Sequence, residues 1–248
     1  SLPFEQPSAF FSHPTTGFKP FSGASKLLHQ QLAPCLDHAQ SPVQAVLLSN
    51  VLGPDFERSV REVCEVAGVA LHVLTVNRHA EVQSAYETPA ALGKDRWAAC
   101  MALTQVSQAA VNLLVSFGTA TTFDIVVKNT HWQHLGGYIV PGIETMLQSL
   151  HSNTAELPKV DFNLATANTW PVSTQQAIGQ GVGRMQAAMV QSIAAQLEQE
   201  HREPAVVWLS GGFAPMMQAS LPQAKLLEHA VFKGLLVDYL LGQKGAAA

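Results

Sequence analysis

The sequence predicts an α/β protein in which strands and helices alternate. A β-branched run at residues 43–51 precedes a helix-like segment at 53–68, and a second apolar run, ALHVLTV, follows at 70–76. A strand, a helix and a strand in this order form a βαβ unit, whose strands pair in parallel through a right-handed crossover. Apolar residues make up 47% of the 248 residues and charged residues 13%, a composition typical of a globular chain with a sizeable core.

The elements of the first half follow from local signals. Residues 1–25 contain prolines and no helical period, which favours one or two strands with turns. Residues 24–39 have apolar residues at helical spacing, and Pro34 is expected to end that helix. In the βαβ unit, Pro54 and Asp55 open the helix and Gly68 closes it.

The second half repeats the alternation with more strands. A helix is predicted from Lys94 to about Ala109, with Trp97, Cys100 and Met101 on one apolar face. A long helix is predicted from Gln175 to about Glu200, with Met185 among its inward residues. The other predicted elements are strands at 111–118, 121–127, 135–142 and 205–212, and helices at 145–152 and 232–241. We place a domain division near residue 110, giving domains 1–109 and 110–248.

Composition excludes several classes of protein. The net charge is −4 and no Lys/Arg cluster occurs, so a nucleic-acid partner is not indicated. No apolar stretch approaches the 20 or so residues that span a bilayer, so we expect no membrane partner. Cys35, Cys64 and Cys100 have no paired or metal-like spacing, which indicates reduced thiols and a cytoplasmic protein. The ten histidines lack the spacing of a zinc site and are interpreted as scattered surface or capping residues.

A glycine-threonine turn interrupts the strands of the second half. The segment SFGTATTFD, residues 116–124, places Gly118, Thr119 and Ala120 between two apolar runs and puts Asp124 behind them. One interpretation is a plain hairpin in which Gly118 supplies the turn. The other is a phosphate cradle, in which backbone N–H groups and threonine hydroxyls donate to phosphate oxygens. The segment alone supports both.

Three further segments combine glycines with groups that carry chemistry. In GKDR, residues 93–96, Asp95 is either a helix cap or a base for a hydroxyl proton, and Arg96 has the fork geometry that binds anions. Tyr86 is a candidate pocket wall upstream. Paired glycines at 136–137 and 211–212 flank or end strands, where α/β folds bind nucleotides. Neither a Walker loop nor a GxGxxG fingerprint occurs.

In order and spacing these segments resemble type III pantothenate kinase, the family that includes the Bvg accessory factor homologues. The resemblance covers residues 43 to about 240. It rests on YETPAALGKDRWAA (86–99), SFGTATTFD (116–124), GGYIVPG (136–142), LHSNTAELP (150–158) and STQQAIGQGV (173–182). It implies the duplicated ribonuclease H-like fold of actin, Hsp70 and sugar kinases, with two α/β domains around a cleft.

The resemblance also implies an activity and its residues. The family phosphorylates pantothenate with ATP and Mg²⁺, the first step of coenzyme A synthesis, and is dimeric. Asp95 resembles the catalytic base. By motif, the pantothenate-contacting residues would be Tyr86, Gly93, Lys94, Asp95, Arg96 and Thr174, and the nucleotide-contacting residues Gly118, Thr119, Ala120, Gly136, Gly137, Gly211 and Gly212. The helix around Trp97 and Met101 would serve either the dimer interface or core packing.

Two departures from the family pattern lead to further expectations. The family's second phosphate motif usually begins with an aspartate that holds a monovalent cation, K⁺ or NH₄⁺, and Ser116 stands at that place. A hydroxyl is a neutral ligand, so we expect cation dependence to be reduced or lost. The family's first Asp-x-Gly-Asn-Thr turn has no counterpart in residues 1–42, and there is no initiator methionine. We therefore expect a chain that lacks an N-terminal segment, with poor kinase activity by itself.

Two alternative functions remain open at this stage. A non-catalytic accessory protein on the same fold is favoured by Ser116 and by the missing first motif. Another kinase or phosphohydrolase of the superfamily is the third possibility. The presence of Tyr86, Asp95, Arg96 and Thr174 together favours the pantothenate kinase, since neither alternative requires all four.

Overall fold

The computed structural model describes residues 43–162 and 170–246 of the chain, and it divides into two compact units. The first unit contains the described residues up to His79, residues 90–105 and the described residues from Val231 onwards. The second unit contains residues 80–89 and 106–230. Each unit is discontinuous in sequence, and most of the last helix groups with the first unit. The predicted division near residue 110 stays a prediction. The elements predicted within residues 1–42 lie outside the described residues.

The first unit contains the predicted βαβ arrangement. Strand β1 (Ala45–Leu48) leads into helix α1 (Pro54–Ala67) and strand β2 (Ala70–Val73), and β1 pairs with β2 in parallel. Helix α1 ends at Gly68, whose φ of 66° lies in the left-handed region that glycine enters without a steric penalty. The predicted βαβ unit is thus confirmed.

Helix α2 (Lys94–Val106) is also in the first unit, with the last helix, α6 (Ala230–Ala246). All nine residues from Arg96 to Thr104 are buried, so the predicted apolar face of Trp97, Cys100 and Met101 is buried and the other sides of the helix are buried as well. Small alanines at three of these positions let the neighbouring structure approach every side of the helix. Trp97 is 1% exposed and Met101 0%, so these side chains belong to the core of this chain and present no surface to a second subunit.

The second unit is built on a mixed sheet. Its described strands are β3 (Val82–Ser84), β4 (Val111–Phe117), β5 (Ala120–Lys128), β6 (Trp132–Pro141), β7 (Ala205–Ser210) and β8 (Lys225–Leu226). They lie in the order β3-β6-β5-β4-β7-β8 across the sheet. Strands β4, β5 and β6 form an antiparallel meander, whereas β3 pairs with β6, β4 with β7 and β7 with β8 in parallel. A three-stranded meander continued by parallel strands is the ribonuclease H-like arrangement that the resemblance implies.

One face of this sheet carries the core of the second unit. Alternate residues of β4 (Leu113, Val115 and Phe117) pack with two helices, α3 (Ile143–Ser152) and α4 (Thr174–His201). Because successive side chains of a strand point to opposite faces, the residues between them lie on the other face. Met185 of α4 is 55% exposed, so its predicted inward position is wrong.

Several bounds differ from the predictions. Strand β6 begins three residues earlier than predicted, and α2 ends at Val106 instead of near Ala109. Strands β3 and β8 and the short helix α5 (Ala214–Met217) were not predicted, because segments of two to four residues carry too little periodicity. Within the described ranges, none of the helices has both the length and the apolar character needed to cross a bilayer.

Candidate active site

The carboxyl ends of three strands meet at one edge of the second unit's sheet. Strands β4, β6 and β7 all run in the same direction, because β5 is antiparallel to both of its neighbours and β4 is parallel to β7. Gly118, Gly142 and Gly211 directly follow the ends of these strands. Carboxyl edges of parallel strands are where α/β folds bind nucleotides.

The turn at this edge is formed by Gly118, Thr119 and Ala120. The Gly118 N–H donates to the Ala120 carbonyl at 3.1 Å. The Thr119 carbonyl accepts from the Gly142 N–H at 3.0 Å and from the Thr145 hydroxyl at 2.7 Å. Gly118 and Thr119 are exposed. The first turn of α3 therefore fixes the tip of the β4–β5 hairpin and leaves it open to solvent.

Gly118 is not required by the turn itself. Its φ is not positive, and a Cβ placed there would lie 3.5 Å from the nearest other atom, the Ala120 carbonyl oxygen, which is ordinary contact. The hairpin interpretation gave Gly118 the task of supplying the turn, and the conformation shows no such need. Neither φ nor the nearest contact therefore requires glycine at this position.

The other two edge glycines are required by close packing of the backbone. A Cβ on Gly142 would lie 2.1 Å from the Gly118 carbonyl oxygen, and one on Gly211 would lie 2.3 Å from the Phe117 carbonyl oxygen. Gly211 also has a φ of 86°, whereas Gly212 has open space around it. Gly142 and Gly211 thus bring the ends of three strands together around the Gly118 turn.

A row of three hydroxyl residues crosses the sheet one residue before this edge. Ser116 of β4 pairs with Thr122 of β5 on one side and with Ser210 of β7 on the other, so the three side chains share a face. The Thr122 hydroxyl oxygen is buried and without a hydrogen-bond partner. Hydroxyl oxygens suit a hard cation, so the row fits one, but it supplies no negative charge to hold it.

Asp95 lies on the first turn of α2 in the first unit. Its Oδ1 accepts a hydrogen bond from the Arg96 N–H at 2.9 Å, so the carboxylate caps a free donor of the helix. Gly93 leaves room for this carboxylate, because a Cβ at that position would lie 2.8 Å from Oδ1. Lys94 is partly buried, and Asp95 itself is exposed. The capping interpretation therefore holds, and it leaves an oriented carboxylate facing solvent.

The remaining charged candidate, Arg96, is 6% exposed. Its burial gives it a structural role whatever it binds. Thr174 begins helix α4 directly after Ser173, whose hydroxyl accepts from the Gln176 N–H, and Thr174 is exposed. Its predicted role in substrate binding stays a prediction.

Gly136 and Gly137 lie within β6 and not at its end. Gly137 pairs with Asp124, four residues before Pro141, which pairs with Ala120 of the turn, and the register shifts between Ile125 and Val126. A Cβ on Gly137 would lie 1.7 Å from the Phe123 carbonyl oxygen. The β-bulge explains this pair of glycines, so their assignment to the nucleotide stays a prediction that the register does not support.

The structure also brings together a buried group that the sequence did not point to. His134 Nε2 lies 2.8 Å from Asp124 Oδ1, and both side chains are buried. The Ser84 hydroxyl lies 3.1 Å from His134 Nδ1 and accepts from the Tyr86 N–H at 3.3 Å. The sequence carried one signal for this contact. If β5 and β6 are paired as a hairpin centred on Thr130, the partner of Asp124 is two positions from His134, which brings the two side chains near each other.

The chain matches the family model of type III pantothenate kinase over residues 15–196. It is 32% identical over 218 residues to the type III pantothenate kinase of Aromatoleum aromaticum, a match that covers 85% of this chain and 86% of that protein. The type III pantothenate kinase of Azoarcus sp. is 37% identical over 168 residues, covering 67% of this chain and 61% of that one.

One solved structure supports the fold. A Baf family protein from Campylobacter jejuni superposes with a TM-score of 0.57 at 18% identity, covering 86% of this chain and 89% of its own. At this identity the likeness concerns the fold alone. With the strand order of the second unit, it confirms the predicted α/β, ribonuclease H-like fold class.

Proposed function

Because the chain belongs to the type III pantothenate kinase family, we propose that it phosphorylates pantothenate on its primary hydroxyl with ATP, the first step of coenzyme A synthesis. Family membership supports a kinase that uses ATP with a divalent cation. The observation that carries the proposal is the family match over residues 15–196, which includes an exposed, oriented carboxylate at Asp95.

Asp95 is the residue we assign to proton removal. When the hydroxyl oxygen of pantothenate forms its bond to the γ-phosphorus and the bond to the bridging oxygen breaks, the hydroxyl proton passes to the Asp95 carboxylate. The Arg96 N–H fixes Oδ1, so the carboxylate needs little reorganisation. Phosphoryl transfer depends mainly on positioning and charge neutralisation, so proton removal late in the reaction suffices.

The Gly118 edge is the part we assign to ATP. ATP with Mg²⁺ supplies the phosphoryl group and neutralises its charge. Gly118, Thr119 and Ala120 would face the phosphates, with Gly211 and Gly212 beside them at the end of β7. Space at Gly118 for backbone approach, together with two hydrogen bonds that hold the Thr119 carbonyl, supports this assignment.

Family membership alone supports the assignments of the pantothenate contacts, the monovalent cation and the dimer. Pantothenate would contact Tyr86, Gly93, Lys94, Arg96 and Thr174. A monovalent cation would lie at Ser116, where neutral hydroxyls favour weak or absent dependence. We also propose a homodimer that works in the cytoplasm, where ATP and the substrate occur together.

Substitution of Asp95 tests the function. We expect Asp95→Asn to lower kcat for ATP-dependent phosphorylation of pantothenate by about 10²- to 10⁴-fold, the usual effect of losing a general base. Asp55→Asn is the matched control, because Asp55 is likewise the second residue of a helix and exposed. Equal activity in the two variants would contradict the assignment of Asp95.

A non-catalytic accessory protein is the second candidate, and the hydroxyl row at Ser116 favours it because the row lacks the family's carboxylate. The decisive measurement adds an N-terminal segment with the family's Asp-x-Gly-Asn-Thr turn to the chain and assays the extended protein beside the chain as given. Phosphorylation by the extended protein that Asp95→Asn removes supports the kinase. Absence of phosphorylation and of pantothenate binding in both proteins supports the accessory role.

A further inference from the structure

We propose that His134 is a positioning residue: held by Asp124, it fixes the segment at Tyr86 through Ser84 and so sets the affinity for the alcohol substrate. This inference rests on the proposed function, in which Tyr86 lines the pantothenate site. It adds to that function the group that holds Tyr86 in place. All four residues belong to the second unit.

The hydrogen bonds form a chain with one direction. The Tyr86 N–H donates to the Ser84 hydroxyl oxygen at 3.3 Å, and that hydroxyl lies 3.1 Å from His134 Nδ1. If His134 carries its proton on Nε2, it donates to Asp124 Oδ1 at 2.8 Å, and Nδ1 accepts from Ser84. Each donor then points towards the carboxylate, because a buried aspartate beside Nε2 selects this tautomer.

Burial makes this chain of bonds strong. His134 is 0% exposed and Asp124 is 1% exposed, so water does not compete for either group. Hydrogen bonds in such surroundings are electrostatically stronger than in water, and leaving one group unpaired is costly. The imidazole is therefore held in one orientation by its carboxylate partner.

Two further contacts connect His134 to the Tyr86 segment. The Ala85 N–H donates to the His134 carbonyl at 2.8 Å, which continues the parallel pairing of β3 with β6. The ring centroids of Tyr86 and His134 are 5.6 Å apart. The chain leaves β3 directly after Ser84. The backbone bond of Ala85, the ring contact of Tyr86 and the Ser84 hydroxyl therefore fix the direction of the chain from Ser84 to Tyr86.

The effect is specific to one substrate. His134 lies seven residues before Pro141 on β6, about 20 Å along the strand from the Gly118 edge at the usual rise per residue. Loss of the Ser84 hydroxyl releases the Tyr86 segment and leaves the ATP edge in place. We therefore expect weaker binding of pantothenate with unchanged binding of ATP.

Calorimetric titration of the chain with pantothenate and, separately, with ATP tests this. We expect Ser84→Ala to raise the Kd for pantothenate about tenfold, the order of one lost hydrogen bond, with the Kd for ATP within about twofold. Ser84→Thr keeps a hydroxyl and should restore most of the affinity. Ser59→Ala is the control, because the Ser59 hydroxyl also donates one hydrogen bond, to the Asp55 carbonyl, but lies on α1 of the first unit, away from this group.

The imidazole nitrogens give a second readout that does not depend on substrate. Nuclear magnetic resonance of ¹⁵N-histidine protein should show His134 with its proton on Nε2, and Ser84→Ala should shift the Nδ1 resonance. A proton on Nδ1, or equal losses of pantothenate and ATP affinity in Ser84→Ala, overturns the inference while the proposed function stands. If the unaltered chain fails to bind pantothenate, the proposed function itself is wrong.

Discussion

Gly118 and Gly142 show that the same residue type meets two different physical needs in one turn. A side chain fits at 118 and has no room at 142, where a Cβ would lie 2.1 Å from a carbonyl oxygen. Packing therefore requires glycine at 142, whereas neither packing nor a positive φ requires it at 118.

Alanine substitution separates these two roles. We expect Gly118→Ala to leave the free energy of unfolding within about 1 kcal/mol and to raise the Kd for ATP about tenfold or more, because the new methyl group lies where phosphate approaches. Gly142→Ala should destabilise the fold by about 1–3 kcal/mol through overpacking. Urea unfolding and ATP titration of both variants measure this. Unchanged ATP affinity in Gly118→Ala would remove the argument for a cradle.

Cys64 allows a prediction about pH. Burial raises the pKa of the Cys64 thiol, and Glu65 adds to the rise while Arg61 opposes it. The folded state thus holds the thiol proton more tightly than the unfolded state does. This stabilisation is present below the pKa of the unfolded thiol and is lost as pH rises towards the raised value.

Alkylation of Cys64 checks this prediction. At pH 8 we expect iodoacetamide to modify Cys64 more slowly in the folded chain than in urea, because the side chain is buried and its raised pKa reduces the fraction of reactive thiolate. The rate in the folded chain should rise steeply towards pH 10. Peptide mapping by mass spectrometry follows the residue individually, and equal rates in the folded and unfolded chain would contradict the prediction.

Among the elements, α2 and α6 pack closely within the first unit. A Cβ on Gly234 of α6 would lie 1.6 Å from the Ala98 carbonyl oxygen of α2. Gly242, two turns further along α6, has nothing within 4 Å. Complete burial of α2 between Arg96 and Thr104 depends on such small residues, since larger ones would hold the helix away from its neighbours.

This pair of glycines makes a matched test. We expect Gly234→Ala to lower the free energy of unfolding by about 1–3 kcal/mol or more, because helix α6 must move away from α2. Gly242→Ala should raise it by about 0.5–1 kcal/mol through better helix propensity. Thermal unfolding of the two variants compares them directly. Similar shifts of the same sign would mean that the α2–α6 contact is not tight.

At the scale of the whole molecule, binding of pantothenate should stabilise the folded state, because binding and unfolding are linked equilibria. At a pantothenate concentration about 100 times its Kd, binding adds about 2.7 kcal/mol to the stability of the folded state, which for a chain of this size raises the melting temperature by about 5–10 °C. Thermal shift measures this, with glucose as the control ligand. A response to glucose alone would favour a sugar kinase of the superfamily, and no response to either would favour the accessory protein.

The fold was predictable where local signals were strong. The βαβ unit of the first unit and the strands β4, β5 and β7 follow from apolar runs bounded by glycine, proline and capping residues. The full burial of α2 was not predictable, because small residues such as Ala98 carry no strong apolar signal and a helix buried on all sides has no apolar side distinct from a polar one. Strands of two or three residues, such as β3 and β8, form only because a neighbouring strand supplies their hydrogen bonds.

By itself, the sequence determined the α/β class, the order of the main elements, the family and the residues of its motifs, because these depend on local periodicity, turn chemistry and residue identity. Only the tertiary structure decided that Gly137 belongs to a bulge, that Gly118 is free of steric demand, and that Asp124 meets His134. These facts depend on the register between strands and on the close approach of distant backbone atoms. Such contacts join residues whose spacing along the chain carries no signal of its own.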